Sequence, residues 1–452
     1  MDKQEIIKKL KEGKHTKVKV GVVDIDGVLR GKFMHRNKLI SALENGFGFC
    51  SVIFGWDMGD QAYDNSKEVG WHTGYGDFDA RLDLDTFRTI PWEEGIPFLL
   101  ADFNSDSAVD LPLCPRSLLT KVIKEAESLG YAPMFSQEFE WFNFRETLQS
   151  LEDKNFQGLE ALTPGMFGYS VLRMSENSEF FHDLFDQLEA FGVPLEGLHT
   201  ETGPGVTEAA IMYSDILESA DRAALFKTAV KEIGYKHGII ASFMAKQTNQ
   251  LPGNGGHIHQ SLWDLEKKKN LFFDDSSEGN MSDMMQSYTA GQLHCLPEIL
   301  PMFAPTINSY KRLVEGAWAP TTLTWGHDNR TCALRVLSAS EKSTRIEHRV
   351  VGSDVNPYLA MAACLASGLY GIKNKLKLDV APTKGNGYEN LSNGVLPANL
   401  WEASQKMKTS DLAKELFGEV FVDHFTRTRE WEWRQFSAAV TDWEIKRYFE
   451  II

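Results

Sequence analysis

Two glutamates separated by one residue, Glu138 and Glu140, suggest metal chemistry within the apolar and aromatic stretch of residues 135–142. The stretch predicts a strand, in which alternate side chains point to the same face. Both carboxylates then share one face, while Phe139 and Trp141 share the other and can pack on a core. Adjacent carboxylates repel each other unless a cation lies between them, and Mg²⁺ or Mn²⁺ prefers such oxygen ligands. Two solvated glutamates on an exposed sheet face would give the same pattern.

Two further groups have residue types that can hold a metal or a phosphate. Glu201 and Glu208 flank a Gly-Pro-Gly turn that can return the two acids to one place, although an ordinary polar loop would read the same way. His257 and His259 follow a glycine-rich segment and face the same way in a strand. Glycines let a ligand approach the main chain, and imidazoles bind metals or phosphate oxygens. A structural histidine pair is the alternative.

A cluster of cations surrounds a single acid near residue 347. As a strand, residues 345–349 place Arg345, Glu347 and Arg349 on one face. Other cations stand just upstream, at Arg330, Arg335 and Lys342. In an acidic protein this density suggests a site for phosphates and a metal, whereas a surface ion-pair ladder is the plainer interpretation. Taken together, the four groups indicate a metal–nucleotide enzyme that transfers phosphate to an acid.

The composition is that of a soluble globular protein with more than one unit. The chain has 452 residues, 42% of them hydrophobic and 24% charged, and a formal net charge of −16, which argues against nucleic-acid binding. No long uncharged apolar run predicts a membrane span, and the charged N-terminus lacks an apolar signal region. The five cysteines are scattered without a C-x-x-C pair. We therefore expect free thiols and a cytoplasmic location.

The predicted elements begin with a small α+β unit. Residues 3–12 and 37–46 predict helices, and residues 18–25, 50–54 and 99–103 predict strands. Asp26-Gly27 predicts a hairpin turn. The segment at residues 24–28 also resembles the first motif of haloacid-dehalogenase phosphatases, but we expect a second short strand, not a crossover helix, to follow it. The long irregular stretch at residues 55–79 is rich in aromatic and acidic residues and is expected to be functional.

A second, larger unit is expected after a boundary near residues 111–115. We place the division at residues 1–112 and 113–452. Residues 116–129, 215–237, 357–373 and 396–435 predict helices, the third opened by Asn356 and apolar nearly all round, hence buried. Thr441 and Glu444 form a capping box that opens a last helix.

Ordered motifs along nearly the whole chain resemble the glutamine synthetase family. They are Glu138-Phe139-Glu140, Phe243-Met244-Ala245-Lys246, Gly256-His257-Ile258-His259, Asn308-Ser309-Tyr310-Lys311-Arg312, Asp328-Asn329-Arg330, Arg345-Ile346-Glu347-His348-Arg349 and Asn356-Pro357-Tyr358-Leu359. The pattern is most similar to the type I branch and, within it, to γ-glutamyl-amine ligases such as γ-glutamylputrescine synthetase. The resemblance implies an α+β fold with a small N-terminal β-grasp domain and a larger catalytic domain built on a curved antiparallel sheet flanked by helices. It also implies subunits in rings, a dodecamer of two stacked hexamers.

The resemblance also implies residue roles. One metal would be held by Glu140, Glu201 and Glu208, and a second by Glu138, His257 and Glu347. The nucleotide would meet His259, Ser261, Lys342 and Arg345, and substrate glutamate would meet Gly253, Arg312 and Arg349. Arg330 and Arg335 would steady the transferring phosphate. Asp57 of an adjacent subunit would take the proton of the amine, with Asp79 as a second acid nearby. The implied cofactors are two or three Mg²⁺ or Mn²⁺ ions, with ATP as co-substrate.

The chain departs from glutamine synthetases where the amine would bind. A flap glutamate that lies six residues beyond the arginine of the Asn-Ser-Tyr-Lys-Arg motif is Trp318 here, which can form an apolar wall or a cation–π contact. The family's Asp-Gly-Ser-Ser motif reads Asp57-Met58-Gly59-Asp60, and Asp60 could bind the distal ammonium of a diamine. Pro252 replaces an asparagine beside the glutamate loop. Ser392 replaces the regulatory tyrosine, so control by adenylylation is not expected.

Three hypotheses follow for function. The first is an ATP-dependent ligase that joins the γ-carboxylate of glutamate to an amine, such as a polyamine or alkylamine, through γ-glutamyl phosphate. The second is a glutamine synthetase that uses ammonia. The third is a catalytically silent family member with a structural role, which would be expected to have lost metal ligands, whereas all six are present.

Overall fold

The structure is a computed structural model that describes residues 1–103 and 111–452. Within those residues, none of the helices combines the length and apolarity that crossing a membrane requires.

The N-terminal part is built on a mixed sheet covered by two helices. Its elements are α1 (Lys3–Glu12), β1 (Lys17–Val23), β2 (Leu29–His35), α2 (Arg36–Asn45), β3 (Phe47–Cys50), β4 (Asp77–Leu82), β5 (Arg88–Ile90) and β6 (Ile96–Asp102). The strand order is β2-β1-β6-β4-β3, with β5 also paired to β6. Strands β1 and β6 are parallel neighbours, whereas the other pairs are antiparallel. The first and last strands thus lie side by side, as the β-grasp prediction requires.

The Asp-Gly turn forms the hairpin predicted for it. Val23 pairs with Leu29 across antiparallel strands, and Gly27 has a φ of 83°. The chain continues directly into β2, so no crossover helix of the phosphatase type follows the motif. The turn is also docked on the rest of the protein, because the side-chain amide of Asn356 donates to the carbonyl oxygen of Asp24 at 3.0 Å.

The strand predicted at residues 50–54 is wrong. The strand is β3, which ends at Cys50, and residues Ser51–Phe54 form a 3-10 helix. In β3, Phe47 and Phe49 are buried while Gly48 and Cys50 are exposed, which is the alternation of a half-buried strand. Ile53 and Phe54 are adjacent and both buried, which a strand with one exposed face does not permit.

The larger part contains a second, mainly antiparallel sheet surrounded by helices. Its elements are α3 (Pro115–Ser128), β7 (Tyr131–Phe144), α4 (Leu148–Asp153), α5 (Val171–Glu176), α6 (Ser178–Ala190), β8 (Leu195–Thr200), β9 (Val206–Ile211), β10 (Ser214–Asp215), α7 (Ile216–Lys236), β11 (Ile240–Ser242), β12 (Ile258–Asp264), α8 (Asp283–Ile299), α9 (Ser309–Arg312), β13 (Trp325–His327), β14 (Leu334–Leu337), β15 (Arg345–His348), α10 (Pro357–Lys373), α11 (Leu400–Thr409), α12 (Asp411–Phe417), α13 (Glu419–Ala438) and α14 (Asp442–Tyr448). The strand order is β13-β14-β15-β12-β7-β9-β8, and only the β13–β14 pair is parallel among the described strands of this sheet. The α+β fold class is confirmed.

Helix α10 shows why the sequence predicted a buried helix. The side chain of Asn356 accepts from the backbone N–H of Tyr358 and Leu359, Pro357 opens the first turn, and nearly every residue to Leu369 is buried. The range 396–435, predicted as helical, contains α11 and α12 and most of α13, and its helices begin only at Leu400. The capping box of Thr441 and Glu444 opens α14 as predicted. The division between residues 112 and 113 stays a prediction.

Candidate active site

Strand β7 presents its two glutamates to a cavity of about 430 Å³. Glu138 and Glu140 line this cavity, whereas Phe139 and Trp141 on the other face are fully buried. Phe139 stacks on Phe226 with ring centroids 5.6 Å apart. The core therefore packs on one face of β7, and the alternation of side chains along the strand points both carboxylates from the other face into the cavity.

The second acid pair arrives on a hairpin formed by β8 and β9. Glu208 lies directly opposite Glu140 in the β7–β9 register. The turn brings Glu201 back, since its backbone N–H donates to the carbonyl oxygen of Val206 at 2.9 Å. A Cβ on Gly205 would lie 2.4 Å from a backbone oxygen, so this turn requires glycine. Both acids line the cavity with the pair on β7.

The histidines approach from the opposite edge of β7. His257 Nδ1 lies 2.7 Å from Glu138 Oε1, and His259 Nε2 lies 3.2 Å from Glu138 Oε2. His259 also stands opposite Glu347 in the β12–β15 register. A Cβ on Gly256 would lie 2.5 Å from the carbonyl oxygen of Gly352. The glycine-rich segment is thus required for two main-chain segments to pass closely.

Glu347 is the buried centre of the cationic cluster. Its side chain is fully buried and accepts from Arg335 at 2.7 Å and from Arg349. Arg335 also donates to Asp328 at 2.6 Å. Glu347 Oε1 lies 3.4 Å from His257 Nδ1. The acid therefore connects the phosphate-binding candidates with the histidine pair.

The donor chemistry fits divalent metal ions. Glu138, His259 and Glu347 each offer one ligand atom, and these atoms lie within 4.8 Å of one another. His257 is also close to both carboxylates, so either imidazole is near enough to complete a ligand set with them. The remaining acids, Glu140, Glu201 and Glu208, are half-buried and supply only oxygen donors.

The pKa shifts of these acids also favour a bound cation. Burial, followed by repulsion from Glu138, raises the pKa of Glu208 to about 7. Burial also raises the pKa of Glu140. Burial opposes ionisation of Glu138 as well, but His259 and His257 outweigh it and hold the pKa of Glu138 well below its usual range. A divalent cation beside Glu140 and Glu208 would offset the burial and the repulsion that disfavour their ionised forms.

The nucleotide candidates extend along β12 and β15, outside the residues that line the cavity. Arg345 Nε donates to His259 Nδ1 at 3.1 Å and its NH1 group donates to the carbonyl oxygen of Ser343 at 2.9 Å. Ser261 accepts from the indole N–H of Trp263 at 3.0 Å. Lys342 lies in a 3-10 helix just before β15. The structure therefore groups His259 with Arg345, next to the metal candidates.

The candidates for glutamate binding divide between the cavity wall and the layer behind it. Gly253, Trp318 and Arg349 line the cavity, together with Arg330 and Arg335. Arg312 lies behind, with 3% of its surface exposed, and donates to His257 Nε2 at 3.3 Å and to the carbonyl oxygen of Val350 at 2.9 Å. Burial lowers the pKa of Arg312 to about 10.

Asp57 and Asp79 do not line this cavity. Asp57 lies in the loop after the 3-10 helix Ser51–Phe54, and Asp79 is exposed on β4. Their action in the site of a neighbouring copy stays a prediction.

Sequence reasoning missed Tyr169 and His199. Tyr169 lines the cavity and stacks on His199 with ring centroids 4.4 Å apart. His199 Nε2 lies 3.1 Å from Glu208 Oε1, directly across the β8–β9 pair. The His199-Thr200-Glu201 spacing resembles that of the histidine pair and could have drawn attention to His199. Tyr169 lies in a loop without periodicity, which gives no comparable signal.

The cavity brings carboxylate and imidazole donors together with arginines, a set that suits an enzyme acting on phosphates with bound metal ions. A family model described as "Glutamine synthetase, catalytic domain" matches residues 112–448. The chain belongs to the glutamine synthetase family.

Relatives cover nearly the whole chain. It is 56% identical to "Type-1 glutamine synthetase 2" of Dictyostelium discoideum over 99% of this chain and 86% of that protein. It is 36% identical to "Glutamate--isopropylamine ligase" of Pseudomonas sp over 96% of this chain and 95% of that protein. The solved structure titled "GmaS/ADP complex-Conformation 1" has a TM-score of 0.84 at 25% identity, and covers 98% of this chain and 99% of that one. Divalent metal and ATP use are typical of this family.

Proposed function

We propose that the chain is a γ-glutamyl-amine ligase for which ammonia is a poor substrate. Trp318 carries this proposal. Its side chain lines the cavity where the family's flap glutamate would be expected, it is 56% exposed, and its φ is 58°. An indole cannot hold ammonium as a carboxylate does, but it can contact the alkyl part of an amine or a substituted ammonium.

The proposed chemistry begins with activation of an acid. The γ-carboxylate oxygen of glutamate attacks the terminal phosphorus of ATP, ADP leaves, and γ-glutamyl phosphate remains. Divalent ions bound by the six ligand candidates would neutralise charge on the phosphates. Arg330 and Arg335 would orient the transferring phosphoryl group, and Arg349 with Gly253 would hold glutamate.

The second step forms the amide. The amine nitrogen attacks the acyl carbon, the C–O bond to phosphate breaks, and the proton of the amine goes to a carboxylate base. In our proposal Asp57 of a neighbouring copy is this base. A ring of such copies, two stacked hexamers in the cytoplasm, belongs to the same proposal.

The amine is proposed to be a monoamine. Asp60, which the sequence offered as a partner for the distal ammonium of a diamine, accepts from Arg30 at 2.7 Å. Arg30 also pairs with Asp24 at 2.9 Å. A distal ammonium would have to compete with the Arg30 guanidinium for the Asp60 carboxylate, which disfavours a diamine at this position. The similarity to a glutamate–isopropylamine ligase supports an uncharged tail.

A glutamine synthetase that uses ammonia is the second candidate. The 56% identity to a protein named as a type-1 glutamine synthetase favours it. The silent structural role loses support, because the family assignment and the retained donor set both indicate an enzyme.

A comparison of amines separates the two candidates. ADP formation is measured with ATP, Mg²⁺ and glutamate, and with isopropylamine, ethylamine, putrescine or ammonia at equal free-base concentrations. We expect kcat/KM to be highest for a monoamine and lower for putrescine and ammonia. Equal or higher kcat/KM with ammonia would establish the second candidate instead. Product mass distinguishes the amide from glutamine, and an assay without glutamate measures uncoupled ATP hydrolysis.

A further inference from the structure

The loop that carries Asp57 is seated on α13, a helix of the C-terminal part. We infer that Trp431 of α13 is a positioning residue for Asp57. The indole Nε1–H of Trp431 donates to Asp57 Oδ2 at 2.8 Å, across 374 positions of sequence. The inference rests on the proposed function, in which Asp57 takes the proton of the amine.

The hydrogen bonds of Asp57 fix the whole carboxylate. Oδ1 accepts from the backbone N–H of Gly59 at 2.8 Å and of Gln61 at 3.0 Å. The loop therefore holds one oxygen, and Trp431 holds the other. A carboxylate oxygen has two lone pairs, so Oδ2 keeps one that can receive a proton.

The donors to Asp57 differ from those to its acidic neighbours. Asp60 pairs with Arg30, and Asp64 pairs with Arg434. Within the described residues, the hydrogen bonds of Asp57 come from neutral N–H groups. A guanidinium partner would stabilise the ionised form and weaken the carboxylate as a base, whereas an indole N–H orients it without adding a full positive charge.

Trp431 is itself held in place by two further contacts to its ring. Tyr63, in the same loop as Asp57, packs edge-to-face on its ring at 5.9 Å and 82°. The guanidinium of Arg434 lies 5.3 Å from the ring centroid. The side-chain amide of Asn65 also donates to the carbonyl oxygen of Arg427 at 2.9 Å. These contacts join the loop to α13 at several points, so the indole has little freedom to turn away from Asp57.

The test uses the assembled full-length enzyme and four variants. Trp431→Phe removes the indole N–H and keeps an aromatic ring. Trp433→Phe is the matched control on the same helix, where the ring packs near Trp401 with centroids 6.4 Å apart. Asp57→Asn and the double variant Asp57→Asn/Trp431→Phe complete a thermodynamic cycle. The readout is the ratio of amine-dependent ADP formation to slow amine-independent ADP formation, in which water rather than an amine breaks down γ-glutamyl phosphate.

We expect Trp431→Phe to lower that ratio about tenfold, the size of effect that loss of a hydrogen bond to a charged group produces. Trp433→Phe should leave the ratio unchanged, and the KM values for ATP and glutamate should not move. The double variant should be no worse than Asp57→Asn, because the effect of Trp431 passes through Asp57.

Two outcomes would overturn the inference while leaving the proposed function standing. One is equal ratios for Trp431→Phe and Trp433→Phe. The other is a loss in the double variant that equals the product of the two single losses, which would show that Trp431 acts independently of Asp57. That conclusion would stand even if the Trp431→Phe variant were unstable. If Asp57→Asn retained full amine-dependent turnover, the proposed role of Asp57 itself would fail, and the inference with it.

Discussion

Replacing Trp318 by glutamate should shift the enzyme from alkylamines toward ammonia. Trp318 lines the cavity beside Arg349, whose guanidinium donates to the Trp318 carbonyl oxygen at 3.5 Å. Isopropylamine adds three carbon groups to ammonia, and burying them at about 0.8 kcal/mol each gives roughly 2.4 kcal/mol of preference. Because 1.4 kcal/mol corresponds to about tenfold, this preference amounts to about 50-fold in kcat/KM.

The matched control is Trp318→Gln, which has nearly the shape of glutamate without its charge. Both substitutions keep a Cβ at a residue with φ of 58°, so the backbone strain is the same in each variant. Trp318→Gln should lose most of the preference for isopropylamine over ammonia. Trp318→Glu should lose it and also gain activity with ammonia, because its carboxylate can hold ammonium.

The assay is ADP formation at saturating ATP and glutamate, with isopropylamine or ammonia varied over the same free-base range. The quantity compared is the ratio of the two kcat/KM values in each variant. An unchanged ratio in both variants would show that the indole does not contact the amine. A ratio that falls equally in both, with no gain for ammonia in Trp318→Glu, would refute the idea that this position decides how ammonium is held.

Three further predictions concern other parts of the molecule. Glu347→Gln should lower ADP formation by about 100-fold or more, with or without amine. Changing residues around a metal ligand already lowers metal affinity, and losing a ligand should lower it at least as much. Full turnover in a steady-state assay would contradict the assignment of Glu347 as a ligand. Mixed assemblies of Asp57→Asn and Glu347→Gln chains should recover activity that neither variant has alone, because some sites then combine an intact Asp57 from one copy with an intact Glu347 from the other. No recovery after co-refolding would place Asp57 in the site of its own chain. Burial, followed by repulsion from Lys231, lowers the pKa of Lys227 to about 7. The unfolded chain then binds more protons than the folded one between pH 7 and about 10.5, so the free energy of unfolding should rise with pH in that window. In urea unfolding, Lys227→Met should show a smaller rise, and an equal dependence on pH in both proteins would count against this cause.

The parts of the site that sequence could predict are those set by local periodicity. Alternation placed Glu138 and Glu140 on one face of β7, and the Asp26-Gly27 signal gave the hairpin. Local pattern failed at residues 50–54, where buried apolar side chains belong to a 3-10 helix. There the pairing of β3 with β4 ends at Cys50, and tertiary packing then decides the conformation.

The parts that sequence could not predict depend on partners far apart in the chain. Asp60, which the sequence offered to a diamine, is paired with Arg30 in the fold. Trp431 reaches Asp57 only because α13 packs on the loop. Likewise, the contact of His199 with Glu208 follows from the β8–β9 register, in which the two residues are opposite each other. Such contacts determine which partner each charged side chain has, and no local sequence pattern specifies them.

The contrast between Glu347 and Trp318 explains how an enzyme of this family can change its amine while keeping its first step. Glu347 is fully buried between Arg335 and Arg349, so losing its charge would break a buried ion pair, at a cost of about 3–5 kcal/mol. Trp318 lies on a loop and is more than half exposed, and its backbone carbonyl oxygen accepts the hydrogen bond from Arg349. A substitution there alters the wall of the cavity without disturbing the ion pairs behind it. We therefore expect residue 318 to tolerate substitutions that change the preferred amine, whereas substitutions among the groups that activate glutamate would also destabilise the fold.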